Sequence, residues 1–166
     1  RDQPVEIPLD DGSVLKISGQ IDRIDRVDAA DGGGLVLRDY KTGKAPMDGD
    51  ASLFKGGRQL QIPFYILAAQ EIFPDERVVE AFLDYVNAGR QVAFSPAKAT
   101  SATFRALLLR IADLMGHGVF MQEPLACTFC DFKSVCGPHP VLESRQRRRR
   151  IFDPVARKVG ELKQFA

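Results

Sequence analysis

Leu35-Val36-Leu37-Arg38-Asp39-Tyr40-Lys41 runs into Thr42-Gly43, and Gly19-Gln20-Ile21-Asp22-Arg23-Ile24-Asp25 precedes it. The later stretch has the branched and aromatic composition of a β-strand. Side chains alternate along a strand, so Asp39 and Lys41 share one face and Tyr40 takes the other. A carboxylate beside an ammonium at a strand end can help hold a divalent cation and steer a water onto a phosphodiester. Such chemistry needs a second carboxylate, and Asp22 is the best candidate. Asp39 and Lys41 alone would be an ordinary strand-end ion pair of little energetic consequence. The order of the surrounding segments gives the pair its meaning.

Outward from that stretch, residues 4–9 and 14–28 read as strands joined by the Asp10-Asp11-Gly12 turn. Period 2 holds through Leu15, Ile17, Gly19 and Ile21, then slips at Ile24, which predicts two covered faces or a bulge near Asp22. Residues 35–41 return as a third strand, and 44–57 read as a loop over the site. Helical spacing covers 58–73, with Gln61 and Tyr65 four apart on one face and Leu60, Phe64 and Leu67 on another. Pro63 is tolerated only if it falls in the first turn. Residues 78–86 and 91–94 form a hairpin, and 101–115 a helix with Phe104, Leu107, Leu108 and Ile111 facing the core. His117 lies in a Gly-His-Gly turn and reads as a surface histidine.

The chain has 166 residues, 45% hydrophobic and 27% charged, enough for one domain with a sizeable core. No apolar run approaches the ~18 residues of a membrane span, and no signal-peptide pattern is present. The net charge of +1 is unevenly spread: residues 143–166 hold eight basic and three acidic side chains, leaving −4 for residues 1–142. Arg145 and Arg147, Arg148, Arg149 and Arg150 form either a solvated helix face or a phosphate-contacting arm. Cys127, Cys130 and Cys136 are packed too closely for a secreted disulfide framework, which points to a reducing, cytoplasmic setting. Three close thiols suit a soft metal centre, zinc or iron–sulfur, and spacing alone does not separate the two. His139 would close a zinc site of three thiolates and one imidazole.

Taken in order, Gly19–Asp25, Asp39–Gly43, Gln61 with Tyr65, and the three cysteines closely resemble the RecB/AddB-type nucleases of the PD-(D/E)XK superfamily, over roughly residues 5–140. The resemblance implies an α/β, restriction-endonuclease-like core, a central mixed β-sheet flanked by helices. It implies Mg²⁺- or Mn²⁺-dependent cleavage of DNA, with exonuclease action expected. Asp22, Asp39 and the Tyr40 carbonyl would be metal ligands, Lys41 would orient water, and Gln61 and Tyr65 would position the strand or the ligands. Glu6 is a weaker candidate. Cys127, Cys130 and Cys136 resemble three of the four ligands of a [4Fe–4S] cluster, incomplete here because no cysteine precedes Cys127.

The expected organisation is a nuclease core over 1–123 without the family's N-terminal helix, a cysteine segment over 124–140, and a basic helical segment over 141–166. The resemblance further implies a longer parent polypeptide with a helicase module or subunit, no ATP-binding signature being visible here. Two rivals remain at this point: a catalytically silent nuclease fold that binds DNA or acts as a scaffold, and a protein whose main business is the metal centre.

Overall fold

A computed structural model describes residues 3–28, 33–46, 54–119, 130–131 and 133–165. Among the described residues, six strands form two sheets. β1 (Val5–Pro8) and β2 (Val14–Ile17) pair as an antiparallel hairpin. β3 (Arg23–Val27), β4 (Gly34–Lys41), β5 (Val78–Tyr85) and β6 (Arg90–Phe94) lie side by side in that order. The β4–β5 pair is parallel and the other two pairs are antiparallel, so the sheet is mixed, as expected. A parallel pair needs a long crossover, and α1 (Gln61–Ile72) lies within it.

The single strand expected over 14–28 is two strands in different sheets. The chain leaves β2 at Ile17, turns through Ser18–Asp22 and enters β3 at Arg23. The slip in alternation at Ile24 marks this corner, where neither pairing partner continues. Asp22 therefore stands on the turn just before β3.

One face of the larger sheet carries Leu35, Leu37, Ala81, Leu83, Val92 and Phe94, all buried in one core. Ile62, Ile66 and Ala69 of α1 pack there, as does Ala99 of α2 (Pro96–Ala99). Phe104, Leu107 and Leu108 of α3 (Ala102–Gly116) complete it. Phe54 stacks on Phe104 at 4.9 Å between ring centroids. The α1 stripe is thus Ile62, Ile66 and Ala69, one step round the helix from the expected Leu60, Phe64 and Leu67, which are only partly buried. Helix α1 starts at Gln61, placing Pro63 in the first turn, where its missing N–H leaves no intrahelical bond unmade. Ser101 caps α3 through its hydroxyl, which accepts from the Phe104 N–H at 3.1 Å.

After α4 (Lys133–Cys136) come α5 (His139–Phe152), α6 (Pro154–Arg157) and a 3-10 helix, Lys158–Phe165. This end of the chain folds back. Phe165 enters the main core, while Ala156 joins Leu114 and Val119 in a second cluster. Lys158 donates to Asp113 at 2.9 Å and Arg110 pairs with Glu161 at 2.7 Å, fastening the segment to α3. Among the described residues no helix is long and apolar enough to cross a membrane.

Candidate active site

Strand β4 carries Asp39 and Lys41, α1 carries Gln61 and Tyr65, and Asp22 stands just before β3. Asp39 and Lys41 do share a face: Lys41 Nζ is 2.6 Å from Asp39 Oδ2, while Tyr40 on the other face is 42% exposed. Lys41 donates to Gln61 Oε1 at 2.7 Å, and Gln61 Nε2 donates to the Tyr65 hydroxyl at 2.8 Å. That hydroxyl points back at Asp39 Oδ1 across 3.4 Å. The four side chains form a closed ring in which the amide's two ends have opposite roles. Burial raises the Tyr65 pKa; its bond from Gln61 opposes this, and the charges of Asp39 and Asp22 reinforce it. The hydroxyl therefore stays protonated as a donor.

Asp22 is held from the neighbouring edge. Its Oδ2 accepts from the Tyr40 N–H at 2.8 Å, beyond the last β3–β4 pair. A strand residue's N–H and C=O leave on the same side, so the Tyr40 carbonyl lies on the Asp22 edge too. The turn at Ser18–Asp22 makes this possible, since a straight strand would have carried Asp22 into ordinary ladder pairing.

Asp39 differs from its expected setting. The residue is 2% exposed, inside the core layer rather than at an open strand end. Its Oδ2 makes an ion pair with Lys41 but no aligned hydrogen bond, a buried oxygen left short of partners. Such an atom costs free energy unless something else meets it. Two carboxylates and a carbonyl are hard oxygen donors, the kind that suit Mg²⁺ or Mn²⁺, and Mg²⁺ habitually keeps several waters. The donor chemistry fits such an ion. Among the described residues, no three His, Cys, Asp or Glu side chains converge as a metal site, so protein carboxylates would supply only part of the shell.

The remaining candidates are dispersed. Glu6 is exposed on β1 and pairs with Lys16 at 2.8 Å. Cys130 and Cys136 are free thiols, and Cys127 lies outside the described residues. His139 sits 3.6 Å from Glu143 on its own helix, and it forms no three-residue metal site with Cys130 and Cys136. The imidazole follows the i,i+4 geometry of α5, which sets a carboxylate rather than a thiol beside it. Arg145, Arg147, Arg148 and Arg149 are exposed on α5, whose Leu142 and Gln146 face inward.

Sequence reading passed over a support on the opposite sheet face. Arg38 pairs with Asp84 at 3.1 Å and Asp25 at 3.2 Å, and its guanidinium lies 5.2 Å from the Phe82 ring centroid. Asp84 faces Tyr40 across the β4–β5 pair. Alternation in Glu80-Ala81-Phe82-Leu83-Asp84 was the available signal, but no pattern says which strand pairs with which. Asn87 also donates to the Thr42 carbonyl at 2.9 Å, tying down the chain just past Lys41.

The family model of the PD-(D/E)XK nuclease superfamily matches residues 1–137, and the chain belongs to that superfamily. No curated protein and no solved structure matches it. Members of the superfamily are in general phosphodiester-hydrolysing nucleases that use divalent metals, and the membership implies DNA as substrate.

Proposed function

We propose that the chain is a RecB/AddB-type deoxyribonuclease domain acting as an exonuclease in DNA repair or recombination. The observation that carries this is the closed Asp39–Lys41–Gln61–Tyr65 ring with Asp22 fixed at the adjoining Tyr40 N–H. Core packing asks for no such ring. Asp22, Asp39 and the Tyr40 carbonyl would hold Mg²⁺ or Mn²⁺. A bound divalent ion lowers the pKa of water and offsets charge building on the phosphate. Lys41 places a positive charge beside that phosphate and donates toward the attacking water. Gln61 fixes the direction of the Lys41 ammonium, and Tyr65 keeps the Asp39 carboxylate from rotating. The α5 arginines add a sequence-independent hold on the DNA backbone.

In this reading residues 1–123 are the core, 124–140 the cysteine segment and 141–166 the basic segment. Cys127, Cys130 and Cys136 would supply three ligands of a [4Fe–4S] cluster in a parent protein with a helicase module. Iron and sulfide analysis of the parent tests that part.

The test of the main reading is cleavage of labelled single- and double-stranded DNA with Mg²⁺, Mn²⁺ or EDTA, by the native chain and by Asp39→Asn. Metal-dependent cleavage lost in the variant is expected. One observation favours a second reading, a silent DNA-binding module: the lack of three converging metal-binding side chains among the described residues. Binding of DNA with no cleavage under any metal would select it.

A further inference from the structure

A cavity of about 310 Å³ adjoins the site and shares Lys41 and Gln61 with it. Lys44, Lys55 and Arg58 also line it, and among the described residues no carboxylate does. All three are exposed. Among the described residues neither Lys44 nor Lys55 pairs with an acidic side chain. Arg58 uses its Nε to donate to the Lys55 carbonyl at 3.1 Å, which closes the turn and leaves its terminal nitrogens for other contacts. With Lys41, four cations gather around a space at the small end of ligand pockets. Like charges so gathered repel, and an anion relieves that repulsion. The floor is apolar, with Leu60, Ile62 and Leu83, so an anion there meets less competition from water.

Lys55 supports a built site. It has φ of 47°, and among the described residues it is the one non-glycine with positive φ. A backbone held in that region costs about 1–3 kcal/mol and persists where its surroundings enforce it. The enforcement is visible: the Lys55–Gly57 turn packs on the C-terminal 3-10 helix, and a Cβ on Gly56 would sit 3.2 Å from the Leu162 carbonyl. The first turn of α1 also opens here, without a capping side chain and without an acidic residue, so its field favours an anion.

We propose that Lys44, Lys55 and Arg58 form a subsite for the DNA backbone phosphate next to the one being cut. The inference rests on the nuclease reading of the Asp39 site and extends it to the path of the strand. The cavity suits one sugar-phosphate unit of a single strand, which would run from Lys41 to Arg58.

Binding in EDTA separates the subsite from the chemistry. The probe is a fluorescein-labelled 12-nucleotide single strand titrated by anisotropy at several salt concentrations. The Lys44→Gln/Lys55→Gln/Arg58→Gln variant is expected to bind about tenfold or more weakly at low salt, with a log–log salt slope shallower by about 2. The charge-keeping variant Lys44→Arg/Lys55→Arg/Arg58→Lys should restore both. Unchanged affinity and slope would overturn the proposal. So would an equal loss in Lys16→Gln/Lys98→Gln/Arg105→Gln, which removes the same charge elsewhere. Capture of 1 mM inorganic phosphate by the native chain, with the variant's oligonucleotide affinity unaltered, would make this a free-anion pocket instead. Absence of cleavage by the native chain with Mn²⁺ would remove the nuclease reading and leave these binding results to decide the subsite.

Discussion

Asp39 is buried, yet one of its oxygens has no aligned hydrogen bond. A carboxylate placed this way favours a ligand over stability. Asp39→Ala leaves the Lys41 ammonium and the Tyr65 hydroxyl without their partner. Lys41 is a third exposed, so the expected cost is modest, about 1–2 kcal/mol by urea titration. Asp39→Asn should cost less, because one acceptor remains. Cleavage should vanish in both, and turnover surviving in either would remove Asp39 from the chemistry.

Tyr65→Phe breaks the ring without opening a cavity. A loss of about 10- to 100-fold in turnover is expected, as for a misplaced reacting group. The Tyr65 pKa is raised above its ordinary 10.0, first by burial, so the hydroxyl keeps its proton at neutral pH and sheds it only above that value. The variant's pH–rate profile between pH 6 and 9 should therefore keep the native shape at lower height. A change of shape there would show that Tyr65 itself titrates.

At the scale of elements, β4 begins on a glycine for a steric reason. Gly34 has φ of +143°, and a Cβ there would lie 2.5 Å from the Arg77 carbonyl. Gly34→Ala should cost at least about 2 kcal/mol in urea titration, since the clash is with backbone that cannot swing aside. The C-terminal segment answers to acid. Backbone N–H groups of Ala156 and Val155 hold the Asp153 carboxyl below its ordinary value, and the Lys158 ammonium does the same for Asp113. Folded-state values depressed in this way give stability that is fully present above the unfolded value near 3.8 and lost as pH falls through the lower folded value. Hydrogen exchange of residues 154–165 should therefore be protected at pH 6 and accelerated selectively at pH 3. Asp153→Ala should bring part of that acceleration to pH 6. Equal protection at both pH values would show that Phe165 and Ala156 hold the segment alone.

For the molecule as a whole, the basic C-terminal half-turns are fastened to the fold, while the arginines of α5 remain outward. Arg147→Gln/Arg148→Gln/Arg149→Gln should weaken DNA binding evenly across sequences and make its salt dependence shallower by about 2 on a single strand. Turnover of bound DNA is the comparison, and a drop there with unaltered affinity would place the helix against the cut instead. Arg149 is expected to contribute least, because its guanidinium lies 3.8 Å from Asp153.

Alternation alone made the Asp39–Lys41 face legible, and helical spacing made Gln61 and Tyr65 neighbours, because both periods are properties of the backbone. The mixed sheet flanked by helices was expected from the family resemblance that the ordered motifs carry, and the family match and the sheet agree with it. Composition marked the α5 arginines as a cluster. Which sheet each strand joins was decided elsewhere. The Ser18–Asp22 corner, the burial of Asp39 and the closing of the ring by Tyr65 all depend on pairing and packing between residues 18 to 26 positions apart. So does the seat of Phe165 in the main core. Local sequence sets the direction of each side chain, but only the packed sheet and helix decide which of those directions meet.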